Sequence, residues 1–380
     1  MSEREELLRA IDAAGAVGKR MALASVVRVT GSAYRREGTR MLIDEDGTMT
    51  CMISGGCLEP TIAEIARTVM ETNKPAIHHF DLEEDVVWGL GIGCGGSVDV
   101  YIEPLEVVSP VDVWLEDLRE GKAVTLATVI EASGPGEVSV GNRMLVREDG
   151  SQRGTLGSLK LDEAVRQVVE QKFRELMPRS ETRKFSLPTG QTADVFIDVT
   201  VPPSELVIFG AGHDAIPLAA LGLGQGYRVV VVDARPAFVT SERFPGAKLI
   251  LAHPAEFKDR VVLGPRSYIV IMNHHLERDR ACLRFALESA APYVGVLGPR
   301  SRFERLVEGL REEGFELTDD HRARVYSPVG LDVGADSPEE VALSILAEIL
   351  AVRNQHAGGF LRQRPGRIHA PAKGAEASAA

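Results

Sequence analysis

The sequence predicts an α/β protein in two parts: a duplicated mixed α/β N-terminal domain, then a Rossmann-like, doubly wound parallel sheet. Three observations predict it. A block near the N-terminus recurs at an offset of 103 positions, so that Gly18 lies over Gly121 and Gly31 over Gly134. After Glu205 the text "ELVIFGAGHDAIPLAALGLGQGYRVVVVDARP" runs from an apolar strand through a glycine turn into a helix and a second apolar strand. The composition, 44% hydrophobic and 26% charged, is that of a globular chain with enough length for two or three cores.

The chain opens on "MSEREELLRAIDAAG", an acidic segment with a helical pattern rather than a signal peptide. The repeat then holds without gaps from Gly18 to Met70. "RMLIDEDG" (Arg40 to Gly47) lies over "RMLVREDG" (Arg143 to Gly150). Leu58, Ile62, Ile65, Ala66 and Met70 lie over Leu161, Val165, Val168, Val169 and Phe173, the stripe of a helix resting on a sheet. "SVDVYIEP" matches "TADVFIDV" at an offset of 95. Each copy therefore reads strand, loop, strand, acidic turn, strand, helix, closing strand, and internal duplication explains it.

The differences between the copies carry information. Features kept in both serve the fold, and features confined to copy one are functional candidates. Arg35 and Arg36 become Val138 and Ser139 in copy two. Cys51, Ser54, Gly55, Gly56, Cys57 and Glu59 become Gly154, Gly157, Ser158, Leu159, Lys160 and Asp162. "DVVWGLGIGCGG", with Cys94, Gly95 and Gly96, is reduced to "PTGQ". A glycine turn ahead of a helix that carries Pro60 in its first turn presents free N–H groups and a positive dipole end. Cys57 in that field is expected to have thiolate character. With Arg35 as an anion clamp, the cluster reads as a pocket for an anionic, sulfur-compatible ligand. The competing reading makes the cysteines small buried hydrophobes and the glycines mere turns. A zinc site is not expected, since there is no C-x-x-C and no pair of histidines at ligand spacing.

In the back half, Gly210, Gly212 and Ala215 form G-x-G-x-x-A between strand and helix, and Asp233 ends the next strand. That is the arrangement of a dinucleotide site, with the acid on the ribose and Arg235 close enough to soften its preference for NAD over NADP. Other nucleotides or pterins stay open. Two further strand ends, Asn273-His274-His275 with Asp279 behind and Gly298-Pro299-Arg300, fall where ligands of parallel sheets bind. Ser337 is expected to cap a final helix with Pro338 at its first position. The domains are set at 1–203 (repeats 15–105 and 111–203) and 204–353, with 354–380 as a disordered tail.

Several classes are excluded. A net charge of −12 argues against nucleic acid or anionic membrane as partner, and no apolar run reaches the ~20 residues of a span. Four cysteines in 380 residues are no disulfide framework, which points to a reduced, cytoplasmic setting.

Together the motifs "GSAYRREGTRML", "SGGCLE", "GCGGSVDVYIEP", "GAGH", "VVDARP", "HHLERD", "YVGVLGPRSR" and "SPVGLDVGADSPEEVALSILAEI" resemble the XdhC/CoxI family, over about residues 15 to 353. Tyr34 and Asn273 depart from its common pattern. The resemblance implies an accessory protein of molybdenum hydroxylases such as xanthine dehydrogenase or carbon monoxide dehydrogenase. Such a protein would bind the molybdenum cofactor (molybdopterin), protect it during sulfuration by a cysteine desulfurase-type sulfurase, and insert it into the apo-hydroxylase; a homodimer is expected. On this view Arg35, Ser54, Gly55, Gly56, Gly95 and Gly96 hold the cofactor in the front half. Gly210, Gly212, His213, Asp233, Arg235, His275 and Arg300 line the Rossmann site, and Cys57, Cys94 and His274 are the reactive groups. The alternative is an NAD(P)-dependent oxidoreductase with His274 or His275 as general acid.

Overall fold

In the computed structural model the described residues are 3–31, 34–82, 96–106, 108, 110–175 and 177–363. They form two compact units, residues 3–202 and 203–363.

The first unit begins with helix α1 (Glu3–Ala16), then β1 (Met21–Gly31), β2 (Arg40–Asp44), β3 (Met49–Thr50), α2 (Glu59–Thr72), β4 (Ala76–Asp81) and β5 (Gly96–Pro104). The series repeats as α3 (Val111–Arg119), β6 (Val124–Ser133), β7 (Arg143–Arg147), β8 (Gln152–Thr155), α4 (Leu159–Arg174), β9 (Glu181–Ser186) and β10 (Thr192–Thr200). The sheets have matching orders, β3-β2-β1-β5-β4 and β8-β7-β6-β10-β9, with every pair antiparallel. The correspondence extends to irregularities. The β1–β5 register skips Val27, and the β6–β10 register skips Ile130, the residue that lies over Val27. Both bulged residues turn into one small core with Tyr101 and Phe196, so the bulges aim side chains at the contact between the repeats.

The helix stripe expected from the sequence is present. Ile62, Ala66, Val69 and Met70 of α2 bury against Val26, Val100 and Ile102, each large side chain contributing about 1.5–3 kcal/mol. Val165 and Val169 of α4 do the same against Val129 and Val195. β4 and β9 are additions to the expected element order. Both are edge strands of half-exposed residues, so they lack the apolar run by which a strand is read.

Where the repeats meet, ion pairs cross reciprocally. Arg40 of the first bonds Asp198 of the second, and Arg143 of the second bonds Glu103 of the first. Arg40 lies over Arg143 and Glu103 over Asp198 in the repeat alignment. These residues, with Trp114 and Tyr101, line a cavity of about 20 Å³, room for about one water. Among the described residues, Trp114 Nε1 and Arg143 Nε have no hydrogen-bond partner there, a setting in which a bridging water is expected.

The second unit runs β11 (Glu205–Phe209), α5 (Ala215–Gly224), β12 (Arg228–Asp233), β13 (Lys248–Leu251), α6 (Phe257–Arg260), β14 (Ser267–Ile271), α7 (Leu276–Leu287), β15 (Tyr293–Val296), α8 (Arg300–Glu312), α9 (Asp319–Arg324), β16 (Val325–Tyr326) and α10 (Pro338–Arg353). Its six strands are parallel in the order β13-β12-β11-β14-β15-β16, the strand order of dinucleotide-binding folds. α5 and α10 cover one face, and α6, α7 and α8 the other. Ser337 caps α10 and accepts from Glu340 N–H, in a capping box with Pro338 next. The tail expected from residue 354 is partly structured: His356 N–H donates to Ala351 O at 2.8 Å, and Leu361–Gln363 form a 3-10 turn. Among the described residues no helix is long and apolar enough to cross a membrane.

Candidate functional site

Gly-Gly-Cys changes where a helix starts. α4 begins at Leu159, which lies over Gly56, whereas α2 begins only at Glu59. In the first repeat Gly55, Gly56, Cys57 and Leu58 form an open turn in place of the first helical residues. Gly56 is left-handed at φ 109, and a Cβ on Gly55 or Gly56 would meet nothing within 4 Å among the described residues, so these leave the backbone open.

The N–H groups of that turn are not bare, as the dipole argument expected. Ser54 is buried. Its hydroxyl accepts from Gly56 N at 3.3 Å, Cys57 N at 3.2 Å and Leu58 N at 3.1 Å, and it donates to the Glu59 carboxylate. Glu59 also accepts from Ile53 N at 3.1 Å and Ser54 N at 2.7 Å. Burial pushes its carboxyl pKa up, but these hydrogen bonds outweigh it and hold the group below the usual range. The second repeat keeps the same brace: Asp162, over Glu59, accepts from Leu156 N at 2.7 Å. Glu59, grouped by sequence with the copy-one features, therefore serves the fold. Ser54 is a cap first, and an anion seated on the turn would compete with its hydroxyl.

Cys57 is half-buried, and its Sγ lies 3.3 Å from Ser54 Oγ. Arg35 does not clamp this turn. Its Nη2 bonds Glu3 of α1 at 2.5 Å, and its guanidinium lies 5.5 Å from the Tyr34 ring centroid. Its charge acts on Cys51, opposing burial and the nearby Glu6 and Glu3, which together push that thiol up to about 11. Cys51 donates to Glu3 O at 3.4 Å and packs against the α1–α3 core, so it is structural. It is left-handed at φ 65, as is its counterpart Gly154 at φ 76. Cys94 and Gly95 lie outside the described residues. Gly96, expected to hold the cofactor, is buried in β5, paired with Gly31.

In the second unit, β11 is followed by Gly210, whose φ of 116 lets the turn pass the end of β14; a Cβ there would meet Met272 O at 2.5 Å. Asp233 is correctly placed at the end of β12, but the structure corrects its expected role. Its buried carboxylate accepts from Ala211 N at 2.8 Å and from Arg235 N, Nε and Nη2 at 2.9, 3.0 and 2.7 Å. Its acceptors are filled from within, so a ribose would have to displace Arg235. Those bonds hold its pKa below the usual range against the push of burial. Arg235 stacks 4.0 Å from the Phe238 ring centroid, while Arg243 ties down the carbonyls of Ala211 and Gly212 at 3.0 and 3.4 Å.

His274 also has a carboxylate partner, and the partner is not Asp279. Its Nε2 lies 2.7 Å from Oδ2 of Asp214, the N-cap residue of α5. Asp279 is buried and serves Asn273 and Arg302 instead. His213, His275 and Arg300 are exposed around these strand ends. Sequence reading missed Asp214, because the glycine fingerprint leaves that place unspecified, and Arg243, which lies thirty residues from the turn it secures. An acidic residue at the N-cap of the helix that follows the glycine turn was the available signal.

Comparison with known proteins accords with this architecture. The XdhC and CoxI family matches residues 15–81 and 117–185, and the XdhC Rossmann domain matches residues 206–349. The chain is 32% identical to a probable xanthine dehydrogenase subunit of Bacillus subtilis, over 88% of this chain and 93% of that one. It is 23% identical to the molybdenum cofactor insertion chaperone PaoD of Escherichia coli, over 88% and 84% of the two chains. A crystal structure described as a xanthine dehydrogenase from Bacillus halodurans superposes with a TM-score of 0.70 at 30% identity, covering 96% of this chain and 98% of that one. With both halves matched and a relative covered nearly end to end, the chain belongs to the XdhC and CoxI family.

Proposed function

We infer that this protein is an accessory factor in the maturation of a xanthine dehydrogenase-type molybdenum hydroxylase. It holds the molybdenum cofactor, supports its sulfuration and delivers it to the apo-enzyme. The relatives point to this class, one by its name as a cofactor insertion chaperone. The observation in this chain that carries the reading is the open Ser54–Leu58 turn, present in one repeat and closed into helix in the other. A duplicated fold that opens one helix start and puts a half-exposed thiol there has differentiated that site for a ligand.

The residues fit the sulfur-bearing end of such a cofactor better than its phosphate. Cys57 supplies a soft donor beside open glycine backbone. The phosphate end is less well matched, because Ser54 already takes three N–H groups and Arg35 is paired with Glu3. Bound cofactor would supply the dithiolene and its metal. The chain's part is to present a thiol and a backbone without side chains, and to keep the turn in shape through Ser54 and Glu59. A sulfurase and the apo-hydroxylase are the partners this role requires.

The test is cofactor retention by purified protein, and reconstitution of an apo-hydroxylase. Cys57→Ala is expected to weaken both while changing stability by less than about 1 kcal/mol. Lys160→Ala, at the matching position of the second repeat, is expected to change neither. Full activity of the cysteine variant at equal stability would mean that the thiol is filler.

A further inference from the structure

In dinucleotide-binding folds the acid at the end of the second strand accepts from a ribose hydroxyl, and its charge disfavours a phosphate at that place. Asp233 is not built for either task. Its side chain is 0% exposed. It is filled by donors of the chain itself, Ala211 N on one oxygen and Arg235 N, Nε and Nη2 around both. Buried beneath these donors, the carboxylate is out of reach of a ribose hydroxyl, and the bonded guanidinium offsets its charge.

What the end of β12 presents instead is cationic. Arg235 spends Nε and Nη2 on Asp233, which leaves Nη1 without a partner among the described residues and 37% of the side chain exposed. Arg235 and Arg243 share one ring, their guanidinium carbons lying 4.0 and 5.1 Å from the Phe238 centroid. Arg243 reaches the glycine turn through Nη2, and its Nε is buried without a partner among the described residues. One carboxylate for two guanidiniums leaves a net positive charge. A planar guanidinium fixed by a carboxylate and a ring is already ordered, so it loses little side-chain entropy on taking an anion. This group stands beside the turn after β11, on the side of the sheet where the ribose of a nucleotide lies in this strand order. Asp214, whose Oδ1 is 2.5 Å from the place of a Gly212 Cβ, opposes the pyrophosphate of every dinucleotide alike. Discrimination among them falls to the end of β12.

We propose that the second unit takes a nucleotide with a phosphate monoester on its ribose, the 2′-phosphoadenosine end of NADP, and prefers it to NAD. Arg235 and Arg243 hold the phosphate, and Asp233 is a positioning residue that fixes Arg235. This reverses the preference that the acid at the strand end suggests. It is independent of the Ser54–Leu58 turn and of the maturation role.

The full chain is titrated by calorimetry with NADP, NAD and adenosine 2′-monophosphate. The parent is compared with Asp233→Asn, Arg235→Lys and the double variant Asp233→Asn with Arg235→Ala, which removes the buried charge together with its partner. Thermal melts report whether each variant is folded. The parent is expected to bind NADP about tenfold or more tightly than NAD, and adenosine 2′-monophosphate to compete with NADP. In the double variant NADP is expected to fall to the NAD value while NAD changes little; loss of structure would weaken both. Asp233→Asn is expected to weaken NADP alone. Arg235→Lys keeps the charge without the fork and is expected to lose most of the preference. NAD binding equal to or tighter than NADP in the parent overturns the proposal, as does the absence of binding by all three probes. A preference that survives the double variant overturns it too, and if that variant melts too early to measure, an unchanged preference in Arg235→Lys does so. Loss of NAD affinity in Asp233→Asn would show that the acid reads the ribose after all. No client enzyme enters these titrations, so failure of the maturation role and failure of this site are read separately.

Discussion

Arg28 and Glu131 stand at the same position of the two repeats, 103 residues apart, and they are bonded to each other, Nη2 to Oε2, at 2.8 Å. The same guanidinium bonds Asp99 at 3.1 Å and also bonds Asp194, and those two aspartates are themselves repeat counterparts. In a pair of identical chains joined this way, residue 28 would face its own copy and like charges would meet. Fusion into one chain allowed the two positions to take opposite charges.

Arg28→Ala is expected to destabilise the protein by about 2 kcal/mol, because it leaves three neighbouring carboxylates without their shared cation. Arg166→Ala removes a helix-surface pair with Glu163 and Glu170, and is expected to cost only a few tenths of a kcal/mol. Denaturant unfolding compares the two. Equal losses would show that the charge cluster is no more than a surface network.

Glu103 gives a pH signature. Burial raises its pKa, and the bond from Arg143 only partly offsets this. A carboxyl raised in the folded state binds its proton more tightly there than in the unfolded chain. Its contribution to stability is therefore full below the usual carboxylate range and is lost as pH rises toward the folded-state value. Glu103→Gln is expected to flatten that part of the stability–pH curve. An unchanged curve would mean that Arg143 cancels the burial.

Ser54→Ala removes the acceptor for three backbone N–H groups and a donor to Glu59, with an expected loss of about 1–2 kcal/mol. Glu59 adds the opposite pH dependence to that of Glu103. Its pKa is depressed, so its stabilisation is present above the usual carboxylate range and is lost as pH falls through the folded-state value. Melts of Glu59→Gln between about pH 3 and 7 are expected to lack this acid limb. A parallel decline in parent and variant would argue against the brace.

The thiols separate by reactivity. Cys51, raised to about 11, is roughly one part in a thousand thiolate at pH 8. Cys282 is buried, and its pKa is pushed well above the ordinary thiol value. Neither is expected to react with iodoacetamide at that pH. Mass spectrometry of the native protein reports the labelled sites, and rapid modification of Cys51 would show that its contact with Glu3 opens readily.

Much of the fold was legible because it is written in apolar period. The α2 and α4 stripes, the Val-rich strands of the Rossmann sheet and the Ser337 cap each announce themselves over a few neighbouring residues. The edge strands β4 and β9 did not, since half-exposed strands carry no such run. The site was less legible because its partners are distant in the chain. Nothing local to His274 says that its carboxylate is Asp214, sixty residues earlier. Nothing local to Arg35 says that Glu3 occupies it. Residue type and repeat alignment marked Cys57 and its glycines as different, but only the three-dimensional turn showed Ser54 filling the N–H groups.

The buried Asp233 has a thermodynamic corollary. A nucleotide-binding turn commonly gains stability from its ligand by mass action, in proportion to the logarithm of ligand concentration over Kd. Here Ala211 N–H and the Arg235 guanidinium satisfy that carboxylate without any ligand. The turn is preassembled by the chain itself, so its folded conformation does not wait on a ligand to satisfy that carboxylate.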